Sequence, residues 1–483
     1  MAATLVRVVS RRTVKPPPRP RERIPLTTWD VSMLSADYIQ KGLLYAPPPF
    51  STARPLDHLQ DALADALVAY YPVAGRFATE QHPGGGCSVY IDCHGQGVDI
   101  IHAVADGVAV ADAIPPDADV PRLVQSLFPL DGAVNHDGHH LPLFVVQVTD
   151  LADGVFVAFV YNHALSDGTA FWDFINVWAG ISRARLLSPI SSGGKDQDQN
   201  HNQNRLRPPL LERWSPDGLP SSRAAVLPYP DLTGLIERLS PPPLRERMLH
   251  FSAESLAALK ERARQELLAA GDAAGAAAVT RFQALSSLVW RCVTRARRLE
   301  PEQPTVCRAA INNRARLRPQ LPPEYFGNSI YAISTEAVRA GELLERGHGW
   351  AAAAVGRAVA AHTDADIRAR VAAWTAKPIV YTLRYFDPSG VMMGSSPRFD
   401  MYGCDFGWGE ALAARSGRAN KFDGKASLYP GREGGGSIDA ELVLTPEHMA
   451  RLEQDQEFWA AVTPDKPCSP PPAAAEAPAM GKN

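Results

Sequence analysis

The sequence predicts a mixed α/β chain organised as two domains, and three observations point there. At 483 residues the chain is longer than one hydrophobic core usually organises. Between Leu143 and Trp178 two apolar strand-like runs give way to residues at helical spacing, so strands and helices alternate closely. A polar stretch and then a proline-rich one, from 191 to about 245, separate two halves that each carry structured patterns. The expected division is 1–190, a crossover at 191–245, 246–465, and a tail at 466–483.

The elements follow in order. Met1 to Arg12 contains basic residues and no acid, the composition of a transit peptide. Val6, Val8 and Val9, followed by Thr13-Val14-Lys15-Pro16, instead read as a first strand ending at prolines. Leu56, Leu59, Leu63 and Leu67 form one apolar stripe, which predicts a helix over 56–70 stopped by Pro72. Leu143 to Thr149 and Val155 to Tyr161 read as a hairpin, the second strand apolar at nearly every position and therefore buried on both faces. After Gly168 the period becomes helical, with Phe171, Phe174, Ile175 and Trp178 on one side. The stretch 191–204 is polar and low in complexity, a flexible loop. Leu256 to Ala270 and Phe282 to Arg298 predict two helices separated by an Ala/Gly insert at 269–278. Gly434-Gly435-Gly436-Ser437 lacks the phosphate-loop pattern and reads as a hairpin loop before the strand Ile438 to Leu444. The proline- and alanine-rich tail predicts disorder.

Composition excludes several classes. A net charge of −3 without a long basic run gives no field for nucleic acid. No run approaches the roughly 18–20 apolar residues of a membrane span, so a protein of the cytoplasm is expected. Six cysteines (Cys87, Cys93, Cys292, Cys307, Cys404 and Cys468) lack CxxC spacing and predict neither zinc nor a disulfide framework. His139-His140 has no companion at metal-ligand spacing, so no metal is expected. With 42 prolines in 483 residues, extended connections should be frequent.

The chemistry-bearing segment is Asn162-His163-Ala164-Leu165-Ser166-Asp167-Gly168. A histidine whose unperturbed pKa lies near about 6.5 suits general base work at cellular pH. Taken alone, the same residues also describe a structural histidine at a strand end with Asp167 as the N-cap of the next helix. Arg291, Arg295, Arg297 and Arg298 crowd a helix end, where they complement the helix dipole or meet the phosphates of a ligand.

Far downstream stands Met401-Tyr402-Gly403-Cys404-Asp405-Phe406-Gly407-Trp408-Gly409. HxxxDG followed by DFGWG resembles the BAHD acyltransferases of plants. The likeness extends to Tyr71-Pro72-Val73-Ala74-Gly75-Arg76, to Asn312-Asn313-Arg314-Ala315-Arg316 and to Tyr325-Phe326-Gly327-Asn328, in family order from about Val6 to Phe458. The resemblance implies two chloramphenicol-acetyltransferase-like domains with a solvent channel between them, no bound cofactor, and acyl-CoA as co-substrate. It implies a small-molecule acceptor and a monomer. His163 is then the catalytic base at mid-channel, and Asp167 pairs with Arg314 to fix the histidine loop. The DFGWG turn, with Gly407 and Trp408, shapes the domain interface; Asp405 is sometimes treated as a second catalytic acid. Asn312 departs from the aspartate usual at the start of the D-x-R-x-R strand. Ser329 after Asn328 departs from the signature of anthocyanin malonyltransferases.

Leu26-Thr27-Thr28-Trp29-Asp30, Tyr38 to Leu44 and Gly394-Ser395-Ser396-Pro397-Arg398-Phe399 resemble a branch with few assigned substrates, some of whose members act in cuticle or defence metabolism. Ser396 falls where many hydroxycinnamoyl transferases carry a channel tryptophan. Three rivals remain: a peptide-synthetase condensation domain, disfavoured by Asn162 in place of the first histidine of HHxxxDG; a lyase acting on one metabolite without CoA; and a silent ligand-binding protein.

Overall fold

The apolar run Val155–Tyr161 is buried at all seven positions, as an interior strand covered on both faces should be. It pairs antiparallel with Phe144–Asp150 on one side and with Ile39–Tyr45 on the other. These belong to a six-stranded sheet ordered Arg7–Val14, Val98–Val104, Phe144–Asp150, Val155–Tyr161, Ile39–Tyr45, Ala413–Ser416. Its only parallel pair is Val98–Val104 with Phe144–Asp150. The computed structural model describes residues 6–48, 53–187, 207–219, 224–382 and 386–464. The polar stretch 191–204, Cys468 and the tail 466–483 lie outside the described residues.

A second six-stranded sheet runs Ile330–Ser334, Cys307–Asn312, Val391–Ser395, Lys425–Pro430, Ile438–Leu444, Arg245–Phe251. Helices Ala253–Ala269, Arg281–Arg297 and Gly347–Ala361 pack together beside it. In the first half the predicted helix spans Ala53–Ala69 and lies against Gly168–Leu187. The Trp178 indole there donates to the Leu59 carbonyl at 3.0 Å. One large apolar core lies mainly in the first half but takes in Phe326, Trp374, Phe406 and Trp408, and a second lies wholly in the second half. This is the mixed α/β architecture that the sequence predicts.

Three features differ from the reading of the sequence. The Ala/Gly insert carries a short helix, Ala273–Ala278, because alanine favours the helical state and the Asp272 carboxylate caps it at the Gly275 amide. The arginines near residue 291–298 do more than face a helix dipole. Arg295 pairs with Asp455 and Glu457, Arg291 donates to the Leu343 carbonyl, and Arg297 donates to Asp423 and the Gly390 carbonyl. They tie later chain segments to the helix. Finally, Ala413–Ser416, just after DFGWG, pairs with Ile39–Tyr45, so the chain returns to the first sheet late in its second half. The Gly434–Ser437 segment does connect two antiparallel strands.

Candidate active site

The strand Val155–Tyr161 ends by delivering Asn162 and His163 to a loop held mainly through its backbone. The His163 amide donates to Asn135 Oδ1 at 2.7 Å, and its carbonyl accepts from Asn328 Nδ2 at 2.8 Å. Asn162 Nδ2 donates to the Asn135 carbonyl at 2.8 Å while its Oδ1 accepts from the Ala164 amide. Just beyond, the Tyr161 and Ser166 hydroxyls lie 2.5 Å apart. The His163 ring is half-buried, with Nδ1 enclosed and without a hydrogen-bond partner. Burial pushes its pKa below the ordinary histidine range. Its own main chain, the Asp167 charge and Asn328 partly offset this, and the Lys425 charge adds to the depression. The imidazole is therefore neutral at cellular pH, the state a base requires.

Asp167 performs both roles that its position allows. Its carboxylate, fully buried, receives Arg314 Nη1 at 2.7 Å and Nη2 at 3.0 Å in a two-point pair. It also accepts from the Ser329 amide at 2.8 Å and from Thr169 and Ala170 at the start of the helix Gly168–Leu187. The aspartate thus caps that helix and locks it to the second half of the chain. Arg314 Nη2 further donates to the Tyr325 and Gly327 carbonyls. Asn312, standing where an aspartate is usual, keeps a neutral contact: its Oδ1 accepts from the Arg314 amide at 2.9 Å and its Nδ2 donates to the Thr169 hydroxyl.

Two supports of this loop were not singled out as site residues by sequence reading. Arg213, in the crossover and 1% exposed, donates to the Leu165 and Phe326 carbonyls. Its charge is met by buried Asp30, 3.8 Å away, which also accepts from both the main chain and the side chain of Asn328. Trp29 and Trp214 stack at 4.7 Å beside this pair.

The structure does not bring Asp405 into this network. Its Oδ1 accepts from the Gly407 and Gly409 amides at 2.7 and 2.9 Å, and Arg183 reaches its other oxygen at 3.5 Å. Phe406 sits under the helix Gly168–Leu187, its ring 4.8 Å from that of Trp178, with its carbonyl accepting from the Ser182 hydroxyl. Trp408 packs edge-on against Tyr45 at 5.6 Å, and the Tyr45 hydroxyl donates to the Cys404 carbonyl at 2.6 Å. Gly407 adopts φ +95°, where any side chain is strained. Gly407→Ala should therefore cost about 1–3 kcal/mol and lower the melting temperature; an unchanged thermal denaturation curve would count against this structural role. Among the described residues no group of three His, Cys, Asp or Glu side chains is arranged to hold a metal, and no helix is long and apolar enough to cross a membrane.

Two mixed sheets, one ending in a histidine loop and the other leading to the arginine that anchors it, make up the scaffold of a two-sheet α/β protein. Residues 4–459 match the family model described as the Transferase family. The chain is 34% identical to an uncharacterized acetyltransferase of Arabidopsis thaliana over 444 residues, covering 91% of this chain and 94% of that one. It is 33% identical to BAHD acyltransferase DCR of the same plant, covering 94% and 92%. Its fold is similar to that of vinorine synthase, with a TM-score of 0.71 at 18% identity over 95% of this chain and 99% of that one. It is likewise similar to F. graminearum TRI101 complexed with ethyl coenzyme A, with a TM-score of 0.69 at 18% identity over 92% and 99%. The chain belongs to the BAHD acyltransferase family, and its fold is chloramphenicol-acetyltransferase-like.

Proposed function

We propose that this protein moves an acyl group from acyl-CoA to a hydroxyl or amine of a plant specialised or cuticular metabolite, with His163 as general base. The observation that carries this reading is a neutral imidazole whose backbone is fixed on both sides by Asn135 and Asn328, with Asn328 also the side chain that acts on its ring. The ethyl coenzyme A held by a structural neighbour supports the donor class. The enclosed Nδ1 and the Asn328 Oδ1, also enclosed and unpartnered, suit each other as donor and acceptor. Asn328 would keep the proton on Nδ1 and leave Nε2 free as the base.

In that mechanism Nε2 takes the proton of the acceptor O–H or N–H as the heteroatom attacks the thioester carbonyl. The carbonyl π electrons move to oxygen, giving a tetrahedral oxyanion that neighbouring donors must stabilise. When the C=O re-forms, the C–S bond breaks and the CoA thiolate recovers the proton from the imidazolium. Asp405 takes no step here; its carboxylate serves its own turn. The enzyme would act as a cytoplasmic monomer without a bound cofactor.

Thermal shift with CoA and several acyl-CoAs, followed by free-thiol release with an acceptor panel, tests the reading. Stabilisation by CoA esters and acceptor-dependent thiol release are expected. Their absence at millimolar ligand would instead favour a lyase. Because only neutral His163 accepts the proton, kcat/KM should rise with pH through the depressed pKa and be flat by neutrality. An acid limb centred above the ordinary value of about 6.5 would contradict a base with lowered proton affinity.

A further inference from the structure

The Asp167 carboxylate meets the second half of the chain through the Arg314 guanidinium and the Ser329 amide. These donors come from separate segments. Arg314 lies in the turn that follows the strand Cys307–Asn312, and Ser329 stands just before the strand Ile330–Ser334. The histidine loop is therefore aimed only as well as these two segments are held in register. Their backbones meet where the Asn313 amide donates to the Ser329 carbonyl at 2.7 Å.

His362 adds a side-chain tie to both segments. It caps the C-terminal end of the helix Gly347–Ala361 and is 2% exposed. Its Nε2 donates to Asn313 Oδ1 at 2.7 Å, one residue before Arg314. Its ring stacks on Tyr331, two residues after Ser329, with centroids 5.7 Å apart and planes 23° from parallel. Arg370 holds Tyr331 in turn, lying 4.5 Å from the ring centroid and donating to the hydroxyl at 2.8 Å. Arg316, two residues after Arg314, donates to the Val359 and His362 carbonyls at 2.9 and 2.7 Å, which satisfies the end of the same helix. The turn carrying Arg314 is thus clasped on both sides by one helix end.

The contact is directional. Asn313 is fully buried, and its Nδ2 is enclosed without a partner while its Oδ1 is committed to His362. A buried donor left unpaired is unfavourable, so the bond to His362 is what orients this amide. Burial, with Arg316 and Arg370 nearby, holds the His362 pKa down at about 4. The ring is neutral at cellular pH, and its proton stays on the nitrogen that faces Asn313.

We propose that His362 is a positioning residue for acyl transfer, holding Arg314 and Ser329 in the register that lets both engage Asp167 and so aims His163. The word transfer rests on the acyl-transfer reading; the tie from His362 to Asp167 does not.

The test compares three substitutions that differ in where a donor stands. Glutamine puts its side-chain nitrogen where Nε2 stood and keeps the bond to Asn313. Asparagine puts one where Nδ1 stood and loses the bond, and alanine offers none. Assayed with acyl-CoA and an acceptor well below each melting temperature, His362→Ala and His362→Asn should lower kcat about tenfold, within the roughly 10²-fold that a misplacement of about 1 Å costs. KM should change little, and His362→Gln should keep most of the rate. The asparagine and glutamine pair decides the matter if the alanine variant does not fold. Wild-type kcat in the asparagine variant, equal loss with glutamine, or a loss confined to KM overturns the proposal. A second arm needs no turnover. The urea midpoints of His362→Asn, Asp167→Asn and the double variant form a cycle. The double variant should lose less than the two single losses added, because both changes break one chain of contacts. Additive losses overturn the proposal even where kcat falls. Failure of the acyl-transfer reading would appear instead as absence of turnover in the wild type, with the midpoint cycle unchanged.

Discussion

Replacing His163 by alanine is expected to lower turnover by about 10²–10⁴-fold with little change in melting temperature. The expectation of a stable variant comes from how the loop is held. The bonds to Asn135 and Asn328 are made by the main-chain amide and carbonyl of residue 163, and alanine keeps both. The ring has no hydrogen bond as short as these, its one polar neighbour being the Asn328 side chain, so its removal costs chiefly its packing contacts. Steady-state kinetics beside thermal denaturation separates chemistry from structure, and added imidazole should restore part of the rate. Retention of wild-type turnover would falsify the base assignment. A parallel collapse of melting temperature and activity would reduce His163 to a structural residue.

Local pattern was enough to find most of the elements that carry the site. Val155–Tyr161 was legible because burial on both faces leaves an unbroken apolar run, and Gly168–Leu187 because the period changes at once to that of a helix. The His163, Asp167 and Arg314 grouping was legible through family likeness, and the structure brings Asp167 and Arg314 together. What stayed hidden depends on residues meeting from far apart in the chain. Asp30 and Arg213 are ordinary in their own segments and become a buried pair only when the crossover is laid against the first helix turn. The same holds for Asn135, whose place beside His163 is set by a short turn with no periodic signature. Ala413–Ser416 was not legible because four residues carry too little pattern to say which sheet they join.

Asp167→Ala should destabilise the protein by about 3–5 kcal/mol, the cost of removing one partner from a buried ion pair. Lost helix capping, about 1 kcal/mol on its own, falls partly within that figure because the same carboxylate does both. The asymmetry of the pair makes the prediction specific. Without the aspartate, Arg314 keeps a buried positive charge hydrogen-bonded to the Tyr325 and Gly327 carbonyls and the Asn312 amide oxygen, with Asp173 as the carboxylate left in its field. Without the arginine, Asp167 still accepts from the amides of Thr169, Ala170 and Ser329. Arg314→Met should therefore cost less than Asp167→Ala, and Asp167→Asn, which keeps an acceptor for the helix amides, should fall between wild type and alanine. A double-mutant cycle read by denaturant unfolding measures the coupling. Turnover assayed well below each melting point should fall with Asp167→Ala, because the loop that aims His163 has lost its tie to the second sheet. If activity were lost while stability held, Asp167 would have to act on the reacting atoms directly, and the anchor role argued from its buried position would be wrong.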